Sequence, residues 1–156
     1  MACALPLAIS RRPLLRTSAG NSYHSERSSR SQIAFAFPVM FNMLLLVSHD
    51  LFFGSKITGT AQALGLKMQV AGTRAAAIAA VQAGEFQAIL LDLTLPQLGI
   101  ETLVSELPTP RPEIVAFGPH VETALFEAAR QAGCELVLPR SKFSATLPEL
   151  LGKYAT

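Results

Sequence analysis

The sequence predicts an α/β protein built on a doubly wound, five-stranded parallel sheet. The first observation is alternation: five short apolar runs are separated by five segments with helical spacing within residues 43–156. The second is that these runs are apolar without a break, which is typical of parallel strands covered by helices on both faces. With 156 residues, the chain is long enough for one domain with a substantial core.

The predicted strands are defined by their apolar runs. The third is the clearest, because the run from Ala88 to Leu93 is broken only by Asp92. An ionised carboxylate is costly to bury, so Asp92 is expected at the carboxyl end of its strand. We predict strands over residues 43–47, 66–71, 86–92, 113–117 and 135–138.

The predicted helices lie between these strands and are bounded by recognisable end signals. Thr73 is a suitable N-cap, and the glycines Gly65, Gly84 and Gly133 each follow a helical segment. In the first helix Phe52, Ile57, Ala61 and Leu64 are near helical spacing; the fourth helix has a predicted buried face of Val121, Leu125, Ala128, Ala129 and Ala132. We place the helices at 51–64, 74–83, 100–107, around 121–132 and at 143–154. Right-handed crossovers between parallel strands then favour a flavodoxin-like (βα)5 order.

Charge divides the chain into two parts. Residues 1–42 contain five arginines and one acid, for a net charge of +4, whereas residues 43–156 carry −2. The first part is predicted to be a disordered leader or an extension upstream of the true start codon, and unnecessary for folding of the domain in residues 43–156. The acidic domain is not a nucleic-acid-binding platform. The apolar run Ile33–Val47 is too short to cross a membrane, so no membrane partner is expected.

Residues that would support an enzyme or a disulfide framework are missing from the sequence. There are two cysteines, Cys3 and Cys134, which favours a reducing, cytoplasmic environment. No glycine-rich phosphate-binding loop and no Gly-x-Ser-x-Gly segment is found. We therefore expect no catalytic residues, and the chain is not predicted to be an enzyme.

Polar residues, together with one glycine and one proline, follow several of the predicted strands. Because the carboxyl ends of parallel strands lie at one edge of a sheet, these residues should gather there although they are distant in sequence. The set comprises Ser48, His49, Asp50, Asp92, Gly118, His120, Pro139 and Arg140.

The order of these features resembles a response-regulator receiver (CheY-like) domain. The resemblance covers residues 43–156 and rests on the strand that ends at Asp92, the segment Asp92–Pro96, the turn Ala132–Cys134 and the basic Arg140. In the family's Asp-x-x-Met-Pro motif, the methionine position is Leu95 here. The resemblance implies a two-component phosphorelay in which Asp92 is the candidate acceptor of a phosphoryl group from a histidine kinase.

Other family positions are degenerate. The acidic pair that holds Mg²⁺ after the first strand is replaced by Ser48 and His49, with Asp50 one residue late. The strand-four hydroxyl is absent at Phe117 and Gly118. Arg140 and Ser141 replace a Lys-Pro pair.

These departures weaken the expected Mg²⁺ site. Only Asp92 and the Thr94 main chain, with Asp50 if it turns inward, remain as oxygen ligands, so no cofactor is expected beyond a weakly supported Mg²⁺. Without the metal, Arg140 is expected to pair with Asp92 and hold the domain in one state.

The sequence therefore predicts a stand-alone pseudo-receiver that signals through protein–protein contact, with weak or no Mg²⁺-dependent phosphorylation. Its expected partner is a histidine kinase or an output protein, and a homodimer is left open. One alternative is a functional phosphoacceptor that uses Asp92. Another is a small flavodoxin-like enzyme or metal- or ligand-binding protein that uses the edge formed by His49, Asp92 and His120.

A docking surface is expected near the fourth and fifth helices. The resemblance points there, since receivers usually place their output surface on helix four, strand five and helix five. Phe126 is five residues after Val121, about 140° around a helix, so it should fall outside the main buried stripe. An exposed Phe126, with Tyr154 beside it, would be an apolar anchor for a partner.

Overall fold

A computed structural model describes residues 42–155, in which five strands alternate with five helices. The strands are β1 (Met43–Val47), β2 (Lys67–Ala71), β3 (Ala88–Asp92), β4 (Glu113–Gly118) and β5 (Leu136–Pro139). The helices are α1 (Leu51–Ala63), α2 (Arg74–Ala83), α3 (Ile100–Ser105), α4 (Thr123–Gln131) and α5 (Arg140–Gly152). This alternation confirms the predicted (βα)5 architecture.

All five strands form one parallel sheet in the order β2-β1-β3-β4-β5. The register places Leu45 beside Ile89 and Asp92 beside Phe117. The chain first moves outward from β1 to β2 and then returns past β1 to β3, so the order reverses at β1. In open α/β sheets, the crevice at such a reversal is where ligands and chemistry are found.

Two apolar layers cover the sheet, one on each face. One layer joins alternate strand residues such as Leu45 and Ile89 to α2, α3 and α4. The other joins Leu44 and Leu90 to α1 and α5. Because successive side chains of a strand point to opposite faces, strands with no polar residue in the middle supply both layers.

Side chains cap two of the helices at their N-termini. Asp50 accepts a hydrogen bond from the Phe53 amide at 2.9 Å, and Thr73 accepts one from the Ala76 amide at 3.1 Å. Gly133 follows α4 with φ +94°, a conformation in which a side chain would be strained. The predicted N-cap at Thr73 is therefore confirmed.

The structure corrects two details of the predicted helices. The fifth helix begins at Arg140 instead of residue 143, directly after Pro139, so Arg140 is part of its first turn. Phe52 is 90% exposed because the buried face of α1 is formed by Gly54, Ile57 and Ala61.

The predicted leader, residues 1–42, lies outside the described residues except for Asn42. Across residues 42–155, no helix combines the length and the apolar character that a membrane span requires.

Candidate functional site

Asp92 lies at the carboxyl end of β3, the central strand of the sheet, and has no solvent exposure. Its neighbours in the sheet are β1, which continues into Ser48, and β4, which ends at Phe117 and Gly118. The structure brings four of the predicted residues together at this edge. Hydrogen bonds connect Ser48, Asp50, Asp92 and Arg140.

Four hydrogen bonds converge on the Asp92 carboxylate. Its Oδ2 atom accepts from the Ser48 hydroxyl at 2.8 Å and from the Arg140 guanidinium at 3.0 Å. Its Oδ1 atom accepts from the Thr94 amide at 3.0 Å and from the Thr94 hydroxyl at 2.6 Å. A carboxylate offers about four acceptor positions, so the hydrogen-bonding capacity of Asp92 is filled.

Arg140 connects this carboxylate to a second one. Its Nη1 atom lies 2.8 Å from Oδ2 of Asp50, and its Nη2 atom lies 3.0 Å from Oδ2 of Asp92. The predicted pair between Arg140 and Asp92 is therefore present, and Asp50 extends it. We refer to Ser48, Asp50, Asp92, Thr94 and Arg140 as the Arg140 cluster. The planar guanidinium, with donors in fixed directions, suits a position between two carboxylates.

Two aromatic rings lie close to the guanidinium of Arg140. The Cζ atom of Arg140 lies 4.8 Å from the ring centre of Phe53 and 5.9 Å from that of Phe117. The Phe117 ring stacks on Phe143 with 4.3 Å between ring centres, and Phe53 contacts Phe117 edge-on at 5.5 Å. The faces of aromatic rings attract cations, so these rings stabilise Arg140 in addition to the carboxylates.

The contacts of Asp50 lower the pKa of its carboxyl group below the ordinary value of 3.8. The hydrogen bond from the Phe53 amide contributes most, followed by that from Arg140. Both favour the ionised form. Asp50 is therefore a charged member of the Arg140 cluster at neutral pH and also the N-cap of α1.

The Arg140 cluster does not fit a Mg²⁺ ion as it stands. Mg²⁺ requires free carboxylate oxygens together with water ligands. The predicted ligands Asp50 and Asp92 do come together, but the Arg140 guanidinium lies between them, and the Thr94 hydroxyl is bonded to Asp92. The Arg140 side chain already pairs with both carboxylates that a metal would use.

The alternative edge of His49, Asp92 and His120 is not supported. Both histidines are exposed, whereas Asp92 is fully buried among its four donors. Within residues 42–155, no group of three His, Cys, Asp or Glu side chains is arranged to hold a metal ion. Cys134 is half-buried, and burial raises the pKa of its thiol to about 11, so it remains protonated and unreactive at neutral pH.

The predicted docking residues are both buried, which corrects that expectation. Phe126 is 7% exposed and Tyr154 is 8% exposed. Helix α4 begins at Thr123, so Val121 lies outside it, is 72% exposed, and cannot set the phase of the buried face. Phe126 packs against Gly118, where an added Cβ would lie 3.3 Å from its ring.

Sequence reasoning missed two participants in the site, Phe53 and Phe143, which are ordinary helix residues in the sequence. The apolar positions in the first turns of α1 and α5 were the available signal, because those turns pack next to the strand ends.

The fold is that of response-regulator receiver domains. A receiver domain from Bermanella marisrubri is 16% identical with a TM-score of 0.64, over 74% of this chain and 98% of that one. The receiver domain of a sensor histidine kinase from Pseudomonas aeruginosa, with magnesium in its active-site cleft, is 22% identical with a TM-score of 0.63, over 72% and 96%. A chemotaxis response regulator of Vibrio cholerae is 18% identical with a TM-score of 0.60, over 72% and 97%. No protein-family model and no curated protein matches the sequence.

Proposed function

We propose that this chain is a receiver-like signalling domain that acts through contact with a partner protein. In this proposal Arg140 binds the Asp92 carboxylate, so that Asp92 undergoes weak or no Mg²⁺-dependent phosphorylation. The observation that carries the proposal is the filled carboxylate of Asp92, which is fully buried and accepts four hydrogen bonds. The receiver fold supports a role in response-regulator signalling, and we assign the domain no catalytic activity.

The chemistry of phosphoryl transfer explains why this arrangement opposes it. The acceptor oxygen must be free to attack in line, and cations must neutralise the charge that spreads over the transferred group. Here each oxygen of Asp92 already accepts two hydrogen bonds. The charge of Arg140 is shared between Asp92 and Asp50, so it does not face an incoming anion.

The test is incubation of the full chain with acetyl phosphate and MgCl2, followed by intact mass measurement. We expect no phosphoryl adduct, under conditions in which a receiver domain with an acidic pair and a strand-four hydroxyl is fully modified. The matched variant is Asp92→Asn. An adduct in the wild-type chain that disappears in Asp92→Asn would contradict the proposal.

A second candidate function, phosphorylation of Asp92 after release of Arg140, is favoured by one observation. Among residues 42–155, Arg140 is the only charged donor to Asp92, and its side chain is 33% exposed; its movement into solvent would remove one of the two hydrogen bonds to Oδ2. The Arg140→Ala variant in the same assay tests this candidate. An adduct in both the wild type and Arg140→Ala would support it, and no adduct in either would exclude it.

A further inference from the structure

Helix α5 begins without the features that usually stabilise the start of a helix. Its N-cap residue is Pro139, and within residues 42–155 no side chain caps the free amides of the first turn. The first turn contains two cationic residues, Arg140 and Lys142, and no acidic one. Cations are unfavourable there because the N-terminal end of the helix dipole is positive. The first turn is therefore weak as an isolated piece of helix.

A proline weakens the same helix further along. Pro148 lies inside α5 and has no amide hydrogen, so the Ser144 carbonyl lacks the hydrogen bond that residue 148 would donate in a regular helix. The hydroxyl of Thr146 does bond to the Lys142 carbonyl at 3.0 Å, but this contact lies within the helix and depends on the first turn being helical. Local hydrogen bonding therefore does not make up for the uncapped start.

Arg140 attaches this turn to two other elements. Its guanidinium bonds to Asp92 at the end of β3 and to Asp50 at the start of α1. The bond to Asp92 is the stronger one, because Asp92 is fully buried whereas solvent screens the partly exposed Asp50. The Phe53 ring lies 4.8 Å from the guanidinium and adds a third contact, again on α1. The position of the first turn thus depends on the charge of Asp92.

Fixed residues on both sides limit the part that can move. Pro139 precedes the turn and is paired with Gly118 in the sheet. Phe143 follows the turn and is fully buried, with its ring stacked on that of Phe117. Between them lie residues 140–142, of which the second and third are exposed. Within the described residues, the first of the three is the one whose side chain forms hydrogen bonds and ion pairs with other elements.

We propose that residues 140–142 form a latch. They are helical while Arg140 is bound to Asp92 and Asp50, and they unwind, as far as Phe143, when Asp92 loses its negative charge and Arg140 is released. A change at a buried carboxylate is thereby converted into the order or disorder of a surface turn, as in other charge-operated switches. The inference rests on the proposed function, because a domain that signals by contact needs a surface with two states.

Amide hydrogen exchange of the full chain, followed residue by residue by NMR, measures whether the latch is open. In a helix each amide bonds to the carbonyl four residues before it, so Ser144, Ala145 and Thr146 report on the three latch residues. The next amide, that of Leu147, bonds to a carbonyl outside the latch and reports on the rest of α5. In Asp92→Asn we expect exchange at the three latch-reporting amides to be at least about tenfold faster than in the wild type, with Leu147 much less affected.

The variants separate release of Arg140 from a general loss of stability. Arg140→Met should accelerate exchange at the same three amides. Asp50→Asn should do so by only about threefold, since asparagine still caps α1 and the lost ion pair is screened. Ser141→Glu in the Asp92→Asn background places an acid in the first turn and should restore protection through the helix dipole. The matched control Arg130→Met removes an exposed guanidinium from α4 and should change exchange at these amides by less than about twofold.

Three results would overturn the inference. These are unchanged exchange at residues 144–146 in both Asp92→Asn and Arg140→Met, an equal acceleration at Leu147 and throughout β4, or no slowing by Ser141→Glu. If Asp92→Asn does not fold, Arg140→Met with and without Ser141→Glu decides the question. The acetyl phosphate assay does not report on the order of this turn. Failure of the exchange test with no phosphoryl adduct removes only this inference, whereas an adduct in the wild type removes the proposed function.

Discussion

Replacement of Arg140 by methionine is the most direct test of the Arg140 cluster. Methionine keeps a long, flexible, apolar stem that still packs on the Phe53 ring, so the change removes charge and hydrogen bonds more than volume. Asp92 would remain fully buried and would keep its bonds to Ser48 and Thr94, but it would lose the one charged donor that the described part of the chain supplies. We therefore expect the variant to fold with reduced stability.

The expected loss in the free energy of unfolding follows from the three contacts that Arg140 would no longer make. Loss of the hydrogen bond between Arg140 and the buried Asp92 costs about 1.5–3 kcal/mol, since hydrogen bonds to charged groups are the strong ones. Loss of the cation–π contact with Phe53 adds about 0.5–1 kcal/mol. The pair with the partly exposed Asp50 adds little, because solvent screens it. The free energy of unfolding should fall by about 3 kcal/mol, which corresponds to about 10 °C in Tm for a domain of this size.

Equilibrium urea unfolding at neutral pH measures this change. The matched control is Arg130→Met, which removes a guanidinium from an exposed i,i+3 pair with Glu127 and should change stability by less than about 0.5 kcal/mol. Asp92→Asn and the double variant complete a thermodynamic cycle, and we expect a coupling energy of about 2 kcal/mol.

Two results would refute the reasoning. If Arg140→Met is as stable as the wild type, the ion pair is compensated elsewhere and Arg140 does not hold Asp92. If the two single changes add without coupling, the stabilisation comes from packing instead of the contact between Arg140 and Asp92.

Two further predictions concern the core and the pH dependence. Phe126→Ala should lower the free energy of unfolding, measured in urea, by about 3–4 kcal/mol because the ring is buried. The exposed Val121 is the control, and Val121→Ala should lower it by less than about 0.5 kcal/mol. An equally small effect of Phe126→Ala would show that Phe126 is not in the core. The pKa of Asp50 is lower in the folded chain than its ordinary 3.8, so its contribution is fully present above that value and is lost as the pH falls through the folded value. Unfolding measured from about pH 6 to about pH 3 should therefore show a smaller loss of stability for Asp50→Asn than for the wild type, and identical profiles would contradict the assignment.

The fold could be predicted because it depends on patterns that the sequence displays directly. Strands such as Leu44–Val47 and Ala88–Leu91 are apolar on both faces, and one crossover rule then limits their order. The predicted start of α5 is three residues too late because Arg140, Ser141 and Lys142 are polar and precede the first apolar residue of the helix, Phe143. They are the partly exposed first turn of a helix that follows Pro139 without a loop.

The site could be predicted in part for a different reason. The meeting of Asp92 and Arg140 follows from topology alone, because both are at carboxyl ends of parallel strands. The position of Phe126 could not be obtained this way, since a helix that begins two residues later presents a different face. Gly118 allows the Phe126 ring to be buried against β4, because a residue without Cβ leaves room for the ring there.

The hydrogen bonds of Arg140 join residues that are far apart along the chain, which has a consequence for kinetics. Asp92 is 48 residues away and Asp50 is 90 residues away. Closing such loops costs entropy that is recovered only when β1, β3 and the start of α5 are already assembled, so we expect these contacts to form late in folding. Contacts absent from the folding transition state slow unfolding and leave the folding rate nearly unchanged. We therefore expect Arg140 to act mainly on the lifetime of the folded domain and hardly on how fast it forms.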